Sequence, residues 1–183
     1  MAVVAVVLAL GVEAVASHFS WPQWLVSAPS LAATFALVYW LFDRYLWKLP
    51  ILNTLGLVKV TDISGIYDGT LTSTFQDATG QAIQRAVTLK VVQSWTRMCV
   101  EMAVTSGSSS SLSTSALGSM SNDGAAACVT YVYKNRVNPG VADADMGDHD
   151  GAADLRIYDD GHLTGRYFNS RPRAGTIDGQ RRP

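Results

Sequence analysis

A chain of 183 residues with a net charge of −1 has no electrostatic basis for general affinity toward DNA or RNA. Its charge is unevenly spread: Glu13, Asp43, Arg44 and Lys48 are the Asp, Glu, Lys and Arg residues of the first fifty, and the other 25 lie beyond. An apolar head therefore precedes an ordinary body, which is long enough for one domain with its own core and too short for two.

Met1 to Ala16 is an apolar run interrupted only by Glu13. Continued through Ser17, His18 and Phe19 it approaches the length of a membrane span, about 20 residues. A cleavable signal peptide is the alternative, since Ala14-Val15-Ala16 has small-x-small spacing. The missing Lys or Arg ahead of the apolar stretch favours a first transmembrane helix. Leu25 to Phe42, LVSAPSLAATFALVYWLF, carries no charge. It is flanked by Trp24 on one side and by Tyr39, Trp40, Tyr45 and Trp47 on the other, as in an interfacial aromatic belt. The connection, Ser17 to Gln23, is short and contains Pro22, which predicts an antiparallel helical hairpin over residues 1–48. That loop has no Lys or Arg, whereas Arg44, Lys48 and Lys59 follow the second helix, so both termini and the body are expected on the cytoplasmic side.

Residues 49–62, with Pro50 and Gly56, read as a tether. The hydrophobic period then changes to two, and residues 63–183 read as a soluble β domain. Ile63 to Thr74 has strand character, with Gly65 and Gly69 as bend points. In the next segment Ile83, Val87, Leu89 and Val91 share one face. After a turn near Gln93-Ser94, so do Met98, Val100, Met102 and Val104, which predicts a hairpin. Ser106 to Asp123 is serine-rich and is expected to be a mobile loop. Strand character returns over Ala125–Val137, Ala153–Tyr158, Leu163–Phe168 and Gly175–Gly179, punctuated by Asn138-Pro139-Gly140 and Asp159-Asp160-Gly161. Seven or eight short strands without a helical period imply an antiparallel barrel or sandwich. Closure into a barrel would remove exposed edges. Cys99 and Cys128 fall inside strands and are expected as buried free thiols, which suits a reducing compartment.

No enzyme constellation is found: His18, His149 and His162 are scattered, and no Cys-x-x-Cys pair, phosphate-binding glycine loop or nucleophile elbow occurs. The expectation is a non-enzyme without cofactor or catalytic residues. Asp143, Asp145, Asp148 and Asp150 do not follow the calcium-loop spacing and read as a solvated acidic turn, with no metal expected. Asp143 to Asp160 holds seven Asp and one Arg, while Arg166 to Pro183 holds five Arg and one Asp. The basic end could neutralise an anionic ligand, pair with the acidic loop, or face a membrane surface.

Two spans followed by D-I-S-G-I-Y-D-G-T-L-T at 62–72 and closed by L-T-G-R-Y-F-N-S-R-P-R-A-G-T-I at 163–177 form an arrangement that covers essentially the whole chain. It resembles the SMODS-associating two-transmembrane, β-strand-rich effectors of CBASS antiphage systems. The resemblance implies a membrane-anchored all-β protein: two transmembrane helices, then a small antiparallel, lipocalin-like β-barrel in the cytoplasm of a bacterial cell, anchored in the inner membrane. It further implies that the barrel binds a cyclic dinucleotide or related cyclic oligonucleotide made by a partner CD-NTase. Binding would then drive self-association and disruption of the lipid bilayer. From the opening motif Tyr67 carries over as a candidate ligand contact, and from the closing motif Tyr167, Asn169, Ser170, Arg171 and Thr176. The family's closing strand often has Thr where this chain has Asn169-Ser170. Arg156 and Arg166 are added from charge and strand position rather than from a motif. The rival readings are a membrane-anchored carrier of an apolar molecule, which needs an uncharged lumen, and an adaptor that binds another protein's edge strand.

Overall fold

The computed structural model describes residues 11, 28–76, 79–121, 124–141, 147–171 and 173–183. Apart from Gly11, the first apolar run with Glu13 lies outside them, as do the connecting loop, the start of the second run, Asp143 and Asp145. The chain divides into two compact units, residues 1–49 and 50–183.

In the first unit the second apolar run forms a helix, α1 (Ala28–Arg44), followed by a single 3₁₀ turn at Leu46–Lys48. Phe35 and Tyr39, one helical turn apart, stack with ring centroids 6.4 Å from each other. Trp40 meets Tyr45 edge-on at 5.9 Å. These rings, with Leu37, are exposed. No helix among the described residues is long and apolar enough to cross a membrane.

The second unit opens with a helical turn, α2 (Pro50–Thr54), inside the segment read as a plain tether. Proline starts it where its missing N–H is not needed, and Gly56 ends it with φ at 68°. Eight antiparallel strands follow: β1 (Gly65–Gln76), β2 (Ala82–Gln93), β3 (Met98–Val104), β4 (Ser109–Met120), β5 (Ala126–Val137), β6 (His149–Tyr158), β7 (His162–Asn169) and β8 (Ala174–Arg181). Each pairs with the next, and β8 pairs with β1, so the sheet closes into a barrel without edges. Closure brings Gly69 opposite Gly179, where a Cβ on Gly69 would lie 2.9 Å from the Gly179 Cα. Beyond β8, the Arg182 amide donates to the Ile66 carbonyl at 2.7 Å. Its guanidinium grips the Asp68 carboxylate at 2.7 and 2.8 Å, which holds that carboxyl below the usual range.

Alternation decides the interior. Tyr67, Leu89, Val129, Leu155 and Leu163 are fully buried in the lumen, while their sequence neighbours face out. The hairpin of β2 and β3 pairs as its period predicts, with Leu89 opposite Met102. The serine-rich stretch corrects the expectation of a mobile loop: most of it is β4, paired with β5 from Ser109–Val137 to Met120–Ala127. Serine fits because the wall here must be thin. Met98 lies where a Cβ on Gly118 would sit, its terminal carbon 2.7 Å from that position. The Ser113 hydroxyl accepts the Val100 amide at 2.9 Å, a side chain standing in for part of the ladder. Cys99 and Cys128 are free thiols and are half-buried rather than fully buried.

Candidate functional site

Seven of the strands contribute lumen-facing residues to a cavity of about 310 Å³ at one end of the barrel, where the β1–β2, β3–β4, β5–β6 and β7–β8 connections lie. Leu71, Ile83, Met102 and Val104 form apolar wall, and Tyr133 and Tyr167 lie nearly covered at its floor. Arg85, Arg171 and Arg173 converge on the mouth with Asn135, Asn169 and His149. No carboxylate lines this cavity among the described residues. A groove of about 470 Å³ at the other end is lined by Asp62, Asp159 and Asp160 as well as Arg181 and Arg182, a mixture ill-suited to a dianion. The mouth is therefore the candidate site.

Local structure positions its cations. Asn169 ends β7 and shapes the turn: its amide donates to the Arg173 carbonyl at 3.0 Å, and its Oδ1 accepts the Arg171 amide at 3.0 Å. The Ser170 amide donates to the Asp150 carbonyl at 2.9 Å, and Thr74 bonds Ala174 across the seam. Arg173 stacks on Phe75, its guanidinium carbon 3.9 Å from the ring centroid, at a position where the ring is 41% exposed. Arg85 points inward because it shares the face of Ile83, Val87 and Leu89.

The two floor tyrosines each lie over a glycine of the neighbouring strand. Tyr133 pairs with Gly151 and Tyr167 with Gly175. A Cβ on Gly175 would come within 2.6 Å of the Tyr167 ring, so glycine is what lets that ring lie down on the wall. Burial pushes the Tyr133 phenol up to about 12, with Tyr167 adding to the effect. Burial also raises Tyr131 and Tyr167, the latter partly offset by a hydrogen bond with Ser73 and the charge of Arg173. A folded-state pKa above the unfolded value means that stability is intact below about pH 10 and is lost as pH climbs beyond it. We expect tyrosinate absorbance to show a late fraction that appears together with unfolding. A single titration near pH 10 for all tyrosines would contradict the packing.

The structure sorts the eight residues named from sequence. Tyr167, Asn169 and Arg171 come together at the mouth. Ser170 sits in the same turn, exposed and outside the lining. Arg156, Arg166 and Thr176 face solvent on the outer wall, because their neighbours Leu155, Ile157, Tyr167 and Ile177 take the inner face. Tyr67 points inward at the opposite end, eight residues along β1 from Phe75, or about 26 Å of strand. Arg156→Ala and Arg166→Ala should leave ligand affinity within about twofold, since exposed charges on the outer wall are screened by solvent. A tenfold loss in an equilibrium titration would put the site on the outer wall. Sequence reasoning missed Arg85, Arg173 and Phe75. For Arg85 the signal was present in the alternation of β2.

Among the described residues, Arg182 of the basic C-terminal segment pairs with Asp68, and Asp148 of the acidic stretch with Arg136 at 2.6 Å. Asp148 also accepts the Val137 amide at 2.9 Å, so it closes the β5–β6 connection rather than facing an open site.

In a comparison with protein families, residues 58–181 match the model described as Cap15, cyclic dinucleotide receptor domain. A comparison with curated proteins finds no match. The family match spans the whole barrel.

Proposed function

Because the chain belongs to the Cap15 cyclic dinucleotide receptor domain family, the cyclic-nucleotide-sensing barrel effectors of CBASS systems, we propose that it binds a cyclic dinucleotide or related cyclic oligonucleotide in the barrel mouth. The observation that carries this reading is the convergence of Arg85, Arg171 and Arg173 on a cavity with no carboxylate among its described lining residues. Guanidinium groups pair with phosphate in a forked geometry, and two phosphates fixed in one ring call for several such donors. Phe75, with Arg173 on one face, offers a rim platform for a base. A carrier of an apolar molecule would have no use for three cations at the entrance.

The effector half of the proposal rests on the sequence. The uncharged run from Leu25 to Phe42, with its aromatic flanks, is read as one span of a hairpin in the bacterial inner membrane, with the barrel in the cytoplasm. The messenger comes from a CD-NTase, and ligand binding favours a self-associated state that breaches the bilayer. It acts as a receptor-effector, with no catalytic step. The ligand must bind that state more tightly than the resting one, since equal affinity would shift nothing. The test is dye release from sealed anionic vesicles carrying the full chain. Addition of cyclic di-AMP, cyclic di-GMP or cyclic GMP-AMP should trigger release with one of them. Saturating binding without release would remove the effector half and leave a sensor.

A further inference from the structure

The end of the barrel opposite the mouth is closed by the chain that enters it. Ile63 is buried among the lumen residues, and its main chain is held on both sides. Its amide donates to Gln93 Oε1 at 3.0 Å, and its carbonyl accepts the Tyr67 hydroxyl at 2.8 Å. Gln93 Nε2 reaches the Thr61 carbonyl at 3.4 Å, and the Arg181 guanidinium donates to the Ser64 carbonyl. The Thr61 hydroxyl lies 3.5 Å from the Met120 sulfur, at the end of β4. Side chains from β1, β2, β4 and β8 thus grip one four-residue stretch, Thr61 to Ser64.

We propose that Thr61–Ser64 is a plug through which the barrel acts on the chain that precedes it, and that Tyr67 is a positioning residue of this plug rather than a ligand contact. The inference rests on the function proposed above. Three strands that line the mouth, β1, β2 and β4, also hold the plug, and β8 is the fourth strand on it. β1 carries Leu71 and Phe75 at one end and Tyr67 at the other; β2 carries Arg85 and then Gln93; β8 starts beside Arg173 and ends on Arg181. Between the two ends the lumen is filled by Val87, Leu89, Leu155 and Ile177, all nearly inaccessible. A close-packed interior passes displacement on instead of absorbing it, so a shift of these strands around a ligand reaches the plug. Hydrogen bonds to main chain make the grip independent of which side chains precede Thr61.

The test compares the full chain with Tyr67→Phe and Gln93→Leu, using the binding member of the set cyclic di-AMP, cyclic di-GMP and cyclic GMP-AMP. Loss of one plug hydrogen bond should speed amide exchange at Ile63 and Ser64 about fivefold, with β5 and β6 unchanged. Affinity for the nucleotide should stay within about threefold, while dye release from vesicles at saturating ligand falls by about tenfold or more. Affinity falling in step with release would make Tyr67 a ligand contact and overturn the proposal. Release unchanged at retained affinity would show that the plug does not couple. A wild-type chain that binds none of the three nucleotides and no cyclic trinucleotide would overturn the proposed function, and this coupling with it.

Discussion

Replacing Arg171 with Ala is expected to weaken cyclic dinucleotide binding by roughly 10- to 150-fold, the value of one charge-assisted hydrogen bond of about 1.5–3 kcal/mol. Arg85→Ala should cost a similar amount, since that side chain reaches the same cavity from a different strand, β2. The pair together should lose on the order of 10³-fold, less if one guanidinium can swing to cover both phosphates. Lysine at either position should recover part of the loss, because it restores the charge but not the fork. Isothermal titration on the full chain reads all five variants, and melting temperature verifies that each is folded. Arg171→Ala and Arg85→Ala both binding like wild type would remove the mouth from consideration.

Leu155→Ala is expected to cost about 2–5 kcal/mol of stability, or roughly 10–20 °C in melting temperature. Leu155 is wholly buried on β6, paired between Val129 and Gly165, and one of its methyl groups occupies the space that a Cβ on Gly165 would need. Nothing on the facing glycine can expand into the cavity, so relaxation is limited. Thermal unfolding checks this directly. A change below about 1 kcal/mol would mean that the lumen beneath the floor tyrosines is loosely filled.

How far the sequence discloses this architecture varies strand by strand. The hairpin of β2 and β3 is plain because Val87, Leu89, Val91, Val100 and Met102 alternate without error and all are buried. β4 is hidden for two reasons. Its inward residues are Ser109, Ser111, Ser113, Ala116, Gly118 and, at its end, Met120, so polarity carries almost no period, and the register shift between Ser113 and Ser115 inverts the phase midway. Small residues are required there because Met98 fills the space from the neighbouring strand. That requirement is tertiary and leaves no local mark beyond low complexity.

The site divides in the same way. Tyr167, Asn169 and Arg171 follow from the closing motif, and the turn they shape is local. Arg85 was legible from its parity between Ile83 and Val87, yet a charge among apolar residues reads first as an interruption. Phe75 and Arg173 lie at strand ends, where alternation stops informing direction. Arg156 and Arg166 show the limit of arguing from charge alone: net charge along a segment says nothing about which wall of a barrel each side chain faces. For Tyr67, parity gives the face but not the depth, and depth separates a ligand contact from a plug.

The account depends most directly on whether the mouth binds the proposed ligand. We would measure the melting temperature of the full-length chain in detergent against cyclic di-AMP, cyclic di-GMP, cyclic GMP-AMP and cyclic trinucleotides. At a hundredfold over its dissociation constant, a ligand specific for the folded state adds about 2.7 kcal/mol. One nucleotide should raise the melting temperature by roughly 5–10 °C, and Arg85→Ala with Arg171→Ala should abolish the rise. A folded protein with no rise across the panel, or a rise that survives loss of both arginines, would contradict it.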